Sequence, residues 1–257
     1  MPLKAQQLHL IVIAGPNGAG KSTTAPSLLK GTLEVAEFVN ADLIAQGLSG
    51  FRPESAVFHA GRVMLERIHY LAKKRLNFAF ETTLASRTFA PWISDLRKSD
   101  YDFHLVFLWL PNEEFAISRV AERVRMGGHN VPEETIRRRY HAGIRNFFQL
   151  YRLLQIHGIF MTTRRRGSRD YLPMVKKKRA CLQTILPSGI ILKTLMAVKE
   201  EHRDKITEAF ADPDRITEAL ARGVRDALLK HKKAGNPVVV WKEGKEVWIG
   251  PEDISVD

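Results

Sequence analysis

Short, continuously apolar runs alternate along this chain with segments whose apolar residues recur every three or four positions. Leu8, Leu10, Ile11, Val12, Ile13 and Ala14 make the first run. A strand that is apolar on both sides of its pleat belongs at the centre of a parallel sheet, covered on both faces. Similar runs predict strands at 35–40, 78–82 and 103–110, the last carrying Phe103, Leu105, Val106, Phe107, Leu108 and Trp109. A fifth, weaker apolar stretch lies at 158–161. Between the second and third strands, Val57, Ala60, Met64, Ile68 and Leu71 mark one face of a helix over 55–75. Pro111-Asn112-Glu113-Glu114 opens another helix, which ends at Gly127-Gly128, and Pro132-Glu133-Glu134 starts the next. The near-repeat at 204–210 and 214–220 reads as two successive helix starts. Pro237 to Trp241 and Val247 to Ile249, joined through Glu243-Gly244-Lys245, read as a hairpin.

Strands alternating with helices predict an α/β fold of three layers with a central parallel sheet, to which C-terminal helices and a β-hairpin are added. The expected division is a nucleotide-binding domain over 1–200 and an extension over 201–257. Between the first strand and the first helix stand Gly15, Pro16, Asn17, Gly18, Ala19, Gly20, Lys21 and Ser22, followed by Thr23. This is the G-x-x-x-x-G-K-[ST] phosphate-binding loop (Walker A) in its required context, a buried strand before it and a helix after it. Glycines let the backbone wind around a polyphosphate, and successive N–H groups at a helix N-terminus point at its oxygens. Lys21 is expected on the outer phosphates of ATP or GTP, and Ser22 as a ligand to Mg²⁺. Pro26 is tolerable only if it still lies in the first helical turn.

The chain of 257 residues has one cysteine, Cys181, which excludes a disulfide framework or a thiolate metal site. Without an apolar stretch of membrane-spanning length or a cleavable signal pattern, a cytoplasmic protein is expected. The formal charge of +12 invites a nucleic-acid reading. However, residues 152–199 hold eleven Lys and Arg against one acid, Asp170, so most of the excess sits in one segment and the rest is nearly neutral. Two explanations of that segment stand: a patch for anionic surfaces, or a pair of compensating frameshifts. For the second, Met161-Thr162 read one base out of phase necessarily encodes aspartate.

Phosphoryl transfer needs a base for the acceptor's proton, a second acid near the metal or acceptor, and cations over the moving phosphoryl group. In open α/β sheets these gather at the carboxyl ends of the strands. Asp42, just past the second strand, is the candidate base, with capping of the next helix as its structural alternative. Glu81, at the end of the third strand, is the second acid, with Thr83 beside it. Arg123, Arg125 and Arg138 are the candidate cations, on two helices flanking a Gly-Gly-His129 loop that could act as a lid; His129 is a candidate substrate contact.

Gly15 to Ser22, Asn40-Ala41-Asp42, Glu81-Thr82-Thr83-Leu84 and Arg123-x-Arg125-x-Gly127-Gly128-His129-x-x-Pro132, in that order, resemble the zeta-toxin family of P-loop kinases, its short chromosomal bacterial members most closely. The resemblance covers residues 8 to 151. It implies phosphoryl transfer from a nucleoside triphosphate to the sugar 3′-hydroxyl of UDP-N-acetylglucosamine, Asp42 as general base, Glu81 beside the acceptor sugar, and an antitoxin protein as partner. Rival readings are a polynucleotide or small-metabolite kinase, and an ATP-binding interaction protein that has lost turnover.

Overall fold

A strand with no polar side to show solvent has to be central, and β1 (Leu8–Ala14), buried at every residue, occupies the middle of a five-stranded parallel sheet. The coordinates are a computed structural model that describes residues 7–50, 52–155, 157–162 and 204–256. The other strands are β2 (Glu37–Val39), β3 (Phe78–Thr82), β4 (Tyr101–Trp109) and β5 (His157–Thr162), in the order β2-β3-β1-β4-β5. The basic runs at 164–166 and 176–179 lie outside the described residues. So does most of the boundary region around residue 200.

Alternate residues of β1 feed two cores. Ile11 and Ile13 face one layer, with Leu28, Phe115 and Val120; Leu10 and Val12 face the other, with Ile68, Phe80, Ile93 and Phe147. The helices are α1 (Lys21–Leu28), α2 (Ala41–Leu48), α3 (Val57–Lys73), α4 (Phe89–Lys98), α5 (Glu113–Arg125) and α6 (Glu133–Asn146), which continues through a π turn at Phe147–Tyr151. Helix α4 is absent from the sequence reading, and α2 enters it only as the helix whose capping was the structural alternative for Asp42. Pro26 falls in the second turn of α1, beyond the position where its missing N–H is harmless. The chain passes into a π turn (Leu29–Leu33) immediately after that helix.

The C-terminal segment packs into the first of these cores. Helices α7 (Lys205–Ala211) and α8 (Pro213–Lys233) contribute Ile206, Phe210, Ile216 and Leu220 to the same cluster as Ile11 and Ile13. Of the two near-repeat aspartates, Asp204 caps α7 by accepting from the backbone N–H groups of Ile206 and Thr207; Asp214 falls in the first turn of α8, which starts earlier than expected because Asp212 caps it by accepting from the Asp214 N–H. Asp204 has a second task. Its Oδ1 lies 3.0 Å from Nε2 of His9, and Nδ1 of His9 lies 3.0 Å from Nε2 of His104. The polar residue inside β1 thus fastens the start of the C-terminal segment to the centre of the sheet. The hairpin β6 (Val238–Lys242) and β7 (Lys245–Ile249) turns through Glu243 and Gly244, both with positive φ (52° and 79°), as a tight two-residue turn requires.

Candidate active site

Parallel pairing in register brings the ends of β1 and β3 level: Ala14 pairs with Thr82, and the first N–H of the phosphate loop, at Gly15, donates to the Thr82 carbonyl at 3.3 Å. Glu81 is therefore placed against the loop by the sheet itself. Its Oε2 accepts from the Ser22 hydroxyl at 2.7 Å and from Nδ2 of Asn40 at 2.7 Å, while its Oε1 is 3.7 Å from Nζ of Lys21. Lys21 in turn donates to the Pro16 carbonyl at 2.9 Å, folded over its own loop. Burial pushes the Lys21 ammonium down from the ordinary lysine range, against the pull of the Glu81 and Asp42 carboxylates.

The loop's shape depends on Gly18. Its φ is +79°, and a Cβ there would stand 2.6 Å from Cβ of Arg119 and 2.9 Å from the Ala116 carbonyl on α5. Helix α5 consequently lies directly over the loop. Arg119 Nε reaches the Gly18 carbonyl at 3.4 Å, and its Nη1 is held by Glu122 Oε2 at 2.8 Å and by the Val239 carbonyl at 3.3 Å.

Asp42 does not cap α2. Asn40 does, its Oδ1 accepting from the N–H groups of Asp42 and Leu43 at 2.7 and 3.1 Å. The Asp42 carboxylate is left for a cleft of about 470 Å³ that it lines together with Lys21, Ser22, Glu81 and Arg123. Asn17, Gly18, Gly20 and Thr23 also line it, whereas Gly15, Pro16 and Ala19 are buried beneath. Of the three arginines singled out in the sequence, Arg123 alone lines this cleft; its Nε and Nη2 are buried and make no hydrogen bond among the described residues.

The other two lie elsewhere. Arg125 is exposed and stacks over the Trp248 ring at 4.6 Å, because two residues further along α5 is the opposite side of the helix. Arg138 is exposed too. Its neighbour Arg139 is the one turned inward: burial lowers its pKa, and Asp42 is the carboxylate that opposes that effect. Arg137 clamps α5 to α6, holding Glu114 at 2.8 Å and Glu133 at 2.7 Å. Thr83 shapes the turn after β3, its hydroxyl accepting from the Ala85 N–H at 3.4 Å. Neither Thr83 nor His129 is among the cleft-lining residues, which instead include Gly223, Asp226, Ala227, Lys230 and His231 of α8. Sequence reasoning did not select Asn40, Arg119 or Arg139; Asn40 and Arg139 stand in the Asn-Ala-Asp and Arg137-Arg138-Arg139 strings and Arg119 one turn before Arg123, but only the folded geometry picks them out.

The oxygens of Ser22 and Glu81 form a hard donor pair of the kind that holds Mg²⁺, with Asn40 Nδ2 orienting the Glu81 carboxylate and Lys21 beside it for an outer phosphate. Among the described residues no helix is long and apolar enough to cross a membrane. A family model described as "Zeta toxin" matches residues 3–174. A Haemophilus influenzae protein described as uncharacterized is 27% identical over 138 residues, covering 54% of this chain and 96% of that one. Among solved structures, the chain is similar to one from the PezAT chromosomal toxin–antitoxin system of Streptococcus pneumoniae (15% identity, 63% of this chain and 70% of that one, TM-score 0.46). It is also similar to shikimate kinase from Acinetobacter baumannii (22% identity, 59% and 83%, TM-score 0.37).

Proposed function

The chain belongs to the zeta toxin family, and on that premise we propose that it transfers the terminal phosphoryl group of ATP to a sugar hydroxyl of a nucleotide sugar such as UDP-N-acetylglucosamine. Its class, an ATP-dependent phosphotransferase, follows from the family and the phosphate loop together. The acceptor and the residue roles are our reading. One observation carries the roles: a carboxylate released from helix capping, Asp42, lines the same cleft as Lys21, Ser22, Glu81 and Arg123.

In this mechanism the acceptor oxygen attacks the terminal phosphorus, its proton passes to the Asp42 carboxylate, and ADP leaves with the electrons of the broken P–O bond. Lys21 and Arg123 neutralise the transferring group, and Arg139 balances Asp42. Ser22 and Glu81 would hold the magnesium, with Asn40 orienting the Glu81 carboxylate, and the bound ion would neutralise charge on the triphosphate. Glu81 therefore serves the metal side of the site rather than the acceptor sugar. The Gly127-Gly128 loop joining α5 to α6 gives the cleft an adjustable rim. By family likeness an antitoxin protein is the partner that restrains the activity.

Asp42→Asn tests the assignment. The expected result is a loss of about 10²-fold or more in ADP release with nucleotide-sugar acceptors and ATP affinity retained within about twofold, read by calorimetry. Unchanged turnover removes Asp42 from the mechanism. Transfer by the unsubstituted protein to RNA ends or free sugars, and not to nucleotide sugars, replaces the acceptor.

A further inference from the structure

The cleft keeps buried acceptor atoms with nothing to bind, one in the phosphate loop and one on α5. Asn17, 7% exposed, has an Oδ1 with no hydrogen bond among the described residues, and so does Oε1 of Glu122, which is 4% exposed. Arg119 holds Oε2 of Glu122, and Nε2 of His231 stands 3.5 Å from Oε1 without hydrogen-bond geometry. Buried acceptors without donors are costly and rare in native proteins, so a pair of them in one cleft is the imprint of a ligand that brings N–H or O–H groups. Arg123, with two buried N–H groups and no acceptor, is the complementary imprint of an anion. A nucleoside triphosphate has both kinds of group, at opposite ends.

The far end of the cleft is built by α8, which lies outside the family-matched residues 3–174. Helix α8 is packed against α1 at Gly223, where a Cβ would stand 2.9 Å from Cα of Thr24. That approach sets Ala227 and Asp226 across the cleft from Met126 and Glu122 of α5. Ala227 and Met126 offer apolar walls for a flat base, Glu122 a buried acceptor, and Asp226 an exposed carboxylate at the rim, suited to ribose hydroxyls. Burial pushes the Glu122 carboxyl up, against the charges of Arg119 and His231 and the backbone of Val239, so a further donor from a ligand would stabilise its ionised form.

We propose that the space between α5 and α8 is the nucleoside end of the donor site, closed by α8, with Glu122 Oε1 accepting a hydrogen bond from the exocyclic amine of the donor's purine. The proposal rests on the phosphotransferase reading above. The site takes its phosphate half from the family's core and its base half from a helix added after it.

Binding to the full chain by calorimetry, with magnesium present, tests this with three probes: ATP, purine riboside 5′-triphosphate (no amine) and inorganic tripolyphosphate. The expected order is ATP tightest, by about tenfold over the amine-free analogue. Ala227→Phe, which fills the base wall, should weaken ATP about tenfold and leave tripolyphosphate within twofold, with far-UV dichroism unchanged. Glu122→Gln should narrow the preference for ATP over the amine-free analogue. Equal affinities for ATP and tripolyphosphate, or an Ala227→Phe protein that binds ATP normally, overturn the proposal while leaving the phosphate loop intact. If the unsubstituted protein binds neither, the donor reading itself falls and takes this inference with it.

Discussion

Arg123→Met should make the ligand-free protein more stable and the enzyme worse. The native guanidinium carries two buried N–H groups, Nε and Nη2, that meet no acceptor among the described residues. Each such group costs roughly 1–3 kcal/mol in lost hydration. Methionine keeps the part of the stem that packs beneath Gly128, where an added Cβ would stand 2.5 Å from Cγ of Arg123, and removes both orphaned donors. The ligand-free variant is expected to gain about 2–6 kcal/mol for the two groups, moving the melting temperature up by ~2–4 °C for each kcal/mol in a chain of this size. With ATP the sign reverses. Hydrogen bonds to a charged phosphate contribute ~1.5–3 kcal/mol each, so kcat/KM should fall by about 10- to 100-fold for each bond lost. The assay is scanning fluorimetry across a series of magnesium–ATP concentrations, alongside ADP release. Because ligand stabilisation grows as RT ln(1 + [L]/Kd), the two melting curves should cross as ATP is raised. A variant that melts lower without ligand and binds ATP as tightly as the native chain would falsify the claim that Arg123 is held in readiness for an anion.

Two further outcomes follow from the packing and the buried phenols. In Gly143→Ala the new Cβ would stand 2.3 Å from the Thr83 carbonyl. Over-packing there should cost roughly 1–3 kcal/mol and, by moving the end of β3, lower turnover, whereas a normal melting temperature would show that α6 gives way freely. The Tyr140 hydroxyl donates to the Leu110 carbonyl and that of Tyr151 to the Ser86 carbonyl, and burial pushes both phenols up to about 12. The folded chain keeps them protonated where the unfolded chain ionises near pH 10, so their contribution is intact below pH 10 and is lost between pH 10 and 12. Urea unfolding at pH 9, 10 and 11 should show that decline, and Tyr140→Phe with Tyr151→Phe should flatten it. A decline unaltered in the double variant points to other groups.

The strands were readable because burial on both faces leaves a chemical mark that needs no partner to interpret. Residues 78–82 come out as β3 to the residue, and β1 follows its apolar run. Helix α2 was hidden by its length: eight residues give too few turns to establish a period, and Leu43 and Leu48 are exposed in any case. The basic excess pointed to no chemistry that the described residues can address. Arg125 and Arg138 were chosen for their charge, but Trp248 and solvent hold them, while Arg139, one residue beyond Arg138, is half-buried and is the arginine of α6 whose charge Asp42 favours.

Sequence by itself determined the sheet, the phosphate loop and the kinase family, because apolar runs, glycine spacing and an ordered set of motifs are local properties of the chain. It also held one helix-capping aspartate of the C-terminal segment, Asp204. Only the tertiary structure decided that Asn40 caps α2 and leaves Asp42 free, that Glu81 bonds the Ser22 hydroxyl, and that α8 walls a cleft begun two hundred residues earlier. Those outcomes turn on which side of a helix a residue faces and on which helix crosses which, and close packing fixes both only once the whole chain has folded.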